Sequence, residues 1–144
     1  MKKVLILGLA CTLFLTGCGS KKLTCTISEE DSGMKMSGEV VFTFDGKGET
    51  IKKGNFNMNV QVEEKYAEYL DEMEEEFKED YGDLKEVADV SINTKDNKIS
   101  VNIKYNAAKL NEDQKDELYF NGLYSDENYE NTKAEFEEDG YTCK

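Results

Sequence analysis

Twice along this chain a stretch of two-residue alternation gives way to a helical period. That switch confines it to a mixed fold in which antiparallel hairpins and helices share one core. Leu23, Cys25 and Ile27 alternate with Thr24, Thr26 and Ser28, which predicts a short leading strand with one buried face. Met34, Met36, Val40, Phe42 and Phe44 keep even spacing, Asp45-Gly46 reads as a hairpin turn, and Phe56, Met58, Val60 and Val62 resume the alternation. The spacing of Tyr66, Tyr69, Leu70, Met73, Phe77 and Tyr81 then makes one helical stripe over 63–81, with Gly82 as its C-cap.

The second block repeats the logic. Val90 and Ile92 alternate with Ser91 and Asn93, Asp96-Asn97 supplies a turn, and Ile99, Val101, Ile103 and Tyr105 form a strand of period two. Asn111-Glu112-Asp113-Gln114 fits a capping-box start for a short helix over 112–118. A last helix over 127–139, capped by Ser125 or Asp126, presents Tyr129, Thr132, Lys133 and Phe136 on one side and stops at Gly140. The tail Tyr141-Thr142-Cys143 can then reach the first strand. The expectation is an α+β fold, an antiparallel sheet of about five strands with helices on one face, in the order β-β-β-α-β-β-α-α. Strand order stays open, because exchanging the hairpins leaves every local pattern intact.

The chain begins with Lys2 and Lys3, followed by a 12-residue apolar run from Val4 to Leu15 broken only by Gly8, Cys11 and Thr12. As a helix it would reach about 18 Å, short of the roughly 30 Å hydrocarbon core, which suits a cleaved leader better than a permanent span. Leu15-Thr16-Gly17-Cys18 follows. These four residues resemble the lipobox of bacterial lipoproteins. The resemblance implies cleavage before Cys18, diacylglycerol on its sulfur and often an amide-linked third chain, and two or three acyl chains make stable anchoring. An ordinary leader with a chance cysteine near its end is the alternative. On the lipoprotein reading, 1–17 is a signal peptide, 18–22 a lipidated tether and 23–144 one α+β domain at the extracytoplasmic face of the cell membrane.

Removing residues 1–17 from the 144 leaves 127, enough for one domain with a real core. It also leaves 16 lysines against 31 acids, a net charge of −15. Such a surface is expected to repel nucleic acid phosphates and anionic lipid head groups. It predicts a soluble body held out from the bilayer, with Gly19-Ser20-Lys21-Lys22 as the only basic segment near the head groups.

Of the four cysteines, Cys11 leaves with the leader and Cys18 takes the lipid, so Cys25 and Cys143 remain together in an oxidising compartment. A disulfide between them would close a 119-residue loop and add roughly 5 kcal/mol through loop-closure entropy. Two free structural thiols are the alternative. A redox-active role has less support, with no Cys-x-x-Cys and no histidine to lower a thiol pKa.

The inventory for catalysis is thin. The chain has no histidine, arginine or tryptophan, and its serines lie outside any nucleophile-elbow motif. Carboxylates are too abundant to mark a dyad, which needs one acid with a raised pKa in a pocket. No enzyme activity and no cofactor are expected. Asp71, Glu72, Glu74, Glu75, Glu76, Glu79 and Asp80 could be taken for a cation site, yet a solvated helix face lacks the wrapped oxygen shell calcium requires. Asp126, Asn128, Glu130, Asn131 and Glu137 fall at positions one, three, five, six and twelve of an EF-hand count. There a capped surface helix competes with a calcium loop.

The lipobox, the segment Lys22-Leu23-Thr24-Cys25-Thr26, the order hairpin, helix, hairpin, helix, and the ending Glu138-Asp139-Gly140-Tyr141-Thr142-Cys143 together resemble small lipoproteins of Gram-positive bacteria related to the YehR-like group. That resemblance implies an α+β extracytoplasmic domain with no catalytic residues to carry over. Two functional readings follow. The first is a lipid-anchored interaction or accessory domain, partnered by an envelope protein or cell-wall component and attached to the membrane through Cys18. The second is a small-solute or cation-binding lipoprotein. A receptor with two ligand-closing lobes would need a longer chain.

Overall fold

The structure, a computed structural model, describes residues 19–86 and 88–144; the leader and Cys18 lie outside the described residues. Strands β1 (Lys21–Asp31), β2 (Met34–Phe44) and β3 (Ile51–Val62) run in sequence as a meander. Helix α1 (Tyr69–Asp80) leads to β4 (Ala88–Lys95) and β5 (Lys98–Asn106), then come α2 (Glu112–Phe120), α3 (Tyr129–Glu138) and a two-residue β6 (Thr142–Cys143). All pairings are antiparallel, in the order β4-β5-β3-β2-β1-β6. The α+β class agrees with the sequence reading, and the sixth strand is the chain's own tail.

Alternation decides which face is covered. Leu23, Val40, Phe42, Ile103 and Val101 are buried on one face, where Leu84, Leu118 and Phe136 pack against them. Phe136 meets Phe42 edge to face with ring centroids 5.5 Å apart. A smaller cluster of Val60, Val62, Leu70 and Ile99 continues that face beneath the start of α1. The opposite face is polar. There Asn102 on β5 donates to Asn55 at 3.2 Å and to Asn57 on β3, and Ser100 donates to Asn59 at 2.8 Å.

Several boundaries move for identifiable reasons. The leading strand is longer than the 23–28 alternation predicts, because it pairs with β2 along its whole length through a two-residue turn at Ser32-Gly33, φ 50° and 86°. Asp45-Gly46 is not a two-residue turn. The chain takes six residues from Phe44 to Ile51; the Asp45 carboxylate accepts from the amides of Lys47 and Glu49, and Gly48 takes the positive φ of 77°. Asp96-Asn97 does form the expected tight turn, with φ 55° and 58°.

The predicted 63–81 helix divides into a 3₁₀ turn at Glu64–Tyr66 and α1, and Gly82 lacks the positive φ expected of a C-cap. The capping box is present as read: Asn111 accepts from the Gln114 amide and the Gln114 side chain accepts from the Asn111 amide, both at 2.9 Å. Helix α3 starts two residues later than predicted, capped by Asn128 rather than Ser125 or Asp126, and Gly140 follows its end at φ 90°.

Candidate functional site

Of the residues singled out by sequence, Cys18 lies outside the described residues. Cys25 and Cys143 are opposite one another in the β1–β6 ladder and are joined by a disulfide, with Cα atoms 4.1 Å apart. The neighbouring pair, Thr24 and Lys144, exchanges both backbone hydrogen bonds, 3.0 and 2.8 Å. The cysteines therefore occupy the close, non-hydrogen-bonded position of an antiparallel pair, where facing side chains approach most nearly. Cys25 is fully buried. The bond locks the tail onto the first strand at the edge of the sheet.

The two acidic stretches resolve into helix surface. On α1 the Glu74 carboxyl is held below its ordinary value by the Lys78 ammonium one turn on. In the EF-hand count, residues 129–138 are helical and the Asn128 oxygen is committed to the Asn131 amide at 3.0 Å, so these groups do not wrap one point. Among the described residues, no three acidic or cysteine side chains converge as metal ligands.

A feature the sequence reading missed lies at the far end of the β1–β2 hairpin. Met34, Met36 and Val62, with Tyr66 from the 3₁₀ turn and Tyr69 from the start of α1, line a groove of about 490 Å³ that Glu29 and Asp31 also line. Register explains the assembly: Met34 faces Val62 and Met36 faces Val60 across the β2–β3 ladder, while Asp31 and Glu29 sit opposite the same methionines on β1. The Glu63 amide donates to the Gly33 carbonyl at 3.0 Å, tying the hairpin turn to the strand end that feeds the 3₁₀ turn. The Tyr66 and Tyr69 rings lie 6.3 Å apart, and the Lys65 ammonium sits 4.7 Å from the Tyr66 centroid while pairing with Glu63 at 2.8 Å.

The groove is open, since Met34 is 41% exposed and Tyr69 51%. Its floor is closed by Val62, 5% exposed, which belongs to the cluster under α1. Flexible methionines beside amphipathic tyrosines make an adaptable apolar surface, and the two rim carboxylates favour a positively charged occupant. The volume is within the range of small-molecule sites. The signal available in sequence was the even spacing of Met34 and Met36 running on toward an acidic strand end, which periodicity alone assigns to core.

A second apolar feature, the adjacent Tyr119 and Phe120 at the end of α2, lines a smaller hollow of about 390 Å³. Phe120 itself is 85% exposed, at the edge of that hollow.

No protein-family model matches the chain, and no curated protein matches it. Its fold is similar to that of a protein from Streptococcus pneumoniae TIGR4 solved by NMR, with a TM-score of 0.55 at 14% identity, covering 100% of this chain and 96% of the other. At that identity the likeness shows the fold. Among the described residues no helix is long and apolar enough to cross a membrane.

Proposed function

We propose that this chain is a lipid-anchored extracytoplasmic interaction or accessory domain without catalytic activity of its own. It is secreted through the 1–17 leader, held by acyl chains on Cys18, and offers the Met34–Tyr69 groove to an envelope protein or cell-wall component. Relationship to the YehR-like group of Gram-positive lipoproteins belongs to the same reading. One observation carries it: the groove sits at the opposite end of the sheet from Gly19. Strand β1 runs from Lys21 beside the tether to Asp31 on the groove rim, a rise of roughly 33 Å at about 3.3 Å per residue. An anchored domain standing on its tether would carry this apolar surface away from the bilayer, where a partner can reach it.

A photoreactive amino acid at Tyr69 in the native membrane protein tests the reading. A discrete crosslinked product is expected there and none at Ser91, on the polar sheet face. Capture of only lipid and bulk neighbours from both positions overturns it.

The groove's volume and its acidic rim favour a second reading, a small apolar solute that carries positive charge. Calorimetric titration with calcium and with amphiphilic amines separates the two, since saturable binding lost in Tyr69→Ala would reverse the order.

A further inference from the structure

The net charge of the mature chain conceals a segregation. Three adjoining surface hollows at the tether end of the sheet share the Lys53 side chain. Together they are lined by Lys22, Lys52, Lys53, Lys85, Lys104 and Lys109, against three acids, Asp45, Glu86 and Asp89. All six lysines are exposed. Among the described residues, the five ion pairs use other lysines, so none of these six has a carboxylate within pairing distance. One oxygen of the Asp45 carboxylate accepts from the amides of Glu49 and Lys47, and Lys52 adds to the groups that lower its pKa.

Topology gathers these lysines. Lys22 pairs with Thr43 and Thr43 with Lys53, Lys53 pairs with Asn106, and Lys104 faces Asp89 across the β4–β5 ladder. To the basic segment 19–22 the fold adds five lysines, Lys52 and Lys53 on β3, Lys104 on β5, and Lys85 and Lys109 in the turns beside the sheet. Gly19 and Ser20 line one of the hollows, so the basic surface is continuous with the point where the chain leaves for residue 18.

We propose that this end of the domain docks on anionic phospholipid head groups, setting the protein upright on the membrane with the groove outward. The inference rests on the anchored reading for its geometry. Between Cys18 and the first residue of β1 there are three peptide steps, at most about 10 Å of extended chain, which is close to one Debye length at physiological salt. The tether thus holds the start of β1, onto which the hollows open, inside the range at which charges respond to the bilayer, while α1 begins at the distal cluster and runs back toward Glu86 at the tether end. Each lysine brought to an anionic surface strengthens attachment roughly fivefold, and in the lining of the hollows the lysines outnumber the acids six to three.

The test separates docking from anchoring. With Cys25 and Cys143 bonded, Cys18 is the one thiol left in the mature chain. Coupling it to a maleimide-bearing phospholipid fixes residues 18–144 to vesicles whether or not a cell lipidates them. Lysine acetylation rates are then read by mass spectrometry on vesicles with 30% phosphatidylglycerol and on pure phosphatidylcholine. Lys22, Lys53 and Lys104 are expected to react at least threefold more slowly on the anionic vesicles, with Lys35, Lys95 and Lys98 unchanged and the difference abolished by 0.5 M salt. In Lys53→Glu/Lys104→Glu the protection of Lys22 should be lost. Equal rates on both lipids, or slowing shared equally by the distal lysines, overturns the proposal. Labelled palmitate in cells, absent from Cys18→Ser, tests the anchor independently.

Discussion

Tyr105 lies over Gly54, its register partner on β3, and donates its hydroxyl to the Leu123 carbonyl at 2.6 Å. A Cβ on residue 54 would meet the Tyr105 ring at 2.3 Å, and the ring cannot swing aside without breaking that buried hydrogen bond. Gly54 is thus needed for the close approach of an aromatic side chain to backbone. Gly54→Ala is expected to cost about 2–3 kcal/mol, as overpacking does, and Tyr105→Phe about 1–2 kcal/mol by leaving the Leu123 carbonyl unpaired. Urea denaturation of both singles and the double variant should show strong coupling; additive losses would mean that ring and glycine do not constrain each other.

The same side chain controls stability at high pH. Burial, aided by the neighbouring Tyr124, raises the Tyr105 ionisation well above its ordinary value of 10.0. The unfolded phenol loses its proton near pH 10 while the folded one keeps it. Its contribution is therefore complete below that pH and lost as pH rises toward the folded value. Tyr105→Phe should lower stability at pH 8 yet remove up to about 1.4 kcal/mol per pH unit of the decline above pH 10. An unchanged alkaline slope in the variant contradicts this assignment.

Cys25 is wholly buried and Cys143 nearly so, which makes reduction depend on opening of the β1–β6 edge. Dithiothreitol at neutral pH should leave the bond intact in the folded protein and cleave it promptly in urea. Cys25→Ser/Cys143→Ser is expected to lose roughly 3–5 kcal/mol, the scale for closing a loop of this length. Equal thiol release with and without urea would show the pair to be accessible.

What sequence makes legible here are features carried by neighbours in the chain. The alternation in β5, the Asp96-Asn97 turn and the Asn111–Gln114 box each depend on residues a few positions apart, and each appears as read. The second half of β1 is not legible because Glu29 and Asp31 interrupt its apolar face, although Ser32-Gly33 marks a turn; pairing with β2, not composition, keeps it extended. A two-residue β6 exists only because the disulfide and the Thr24–Lys144 bonds hold the tail to the edge. The groove and the lysine cluster depend on register. Met34 and Val62, or Lys22 and Lys53, become neighbours only once the meander is aligned. A summed charge cannot reveal such an arrangement.

The groove separates residues held for packing from residues left open. Val62 and Leu70 are buried in its supporting cluster, so Leu70→Ala should cost about 2–5 kcal/mol. Met34 and Tyr69 project into the opening, and Met34→Gln or Tyr69→Ala should change stability by no more than about 0.5–1 kcal/mol, as exposed substitutions do. Met34→Gln is expected to abolish the crosslink from a photoreactive residue at position 69, and either substitution any saturable solute binding, while Phe120→Ala leaves both intact. Stability losses at Met34 and Tyr69 as large as that at Leu70 would assign the methionines and tyrosines to the core. Small losses with binding abolished would assign the open apolar surface to recognition, because nothing in the fold then requires those side chains.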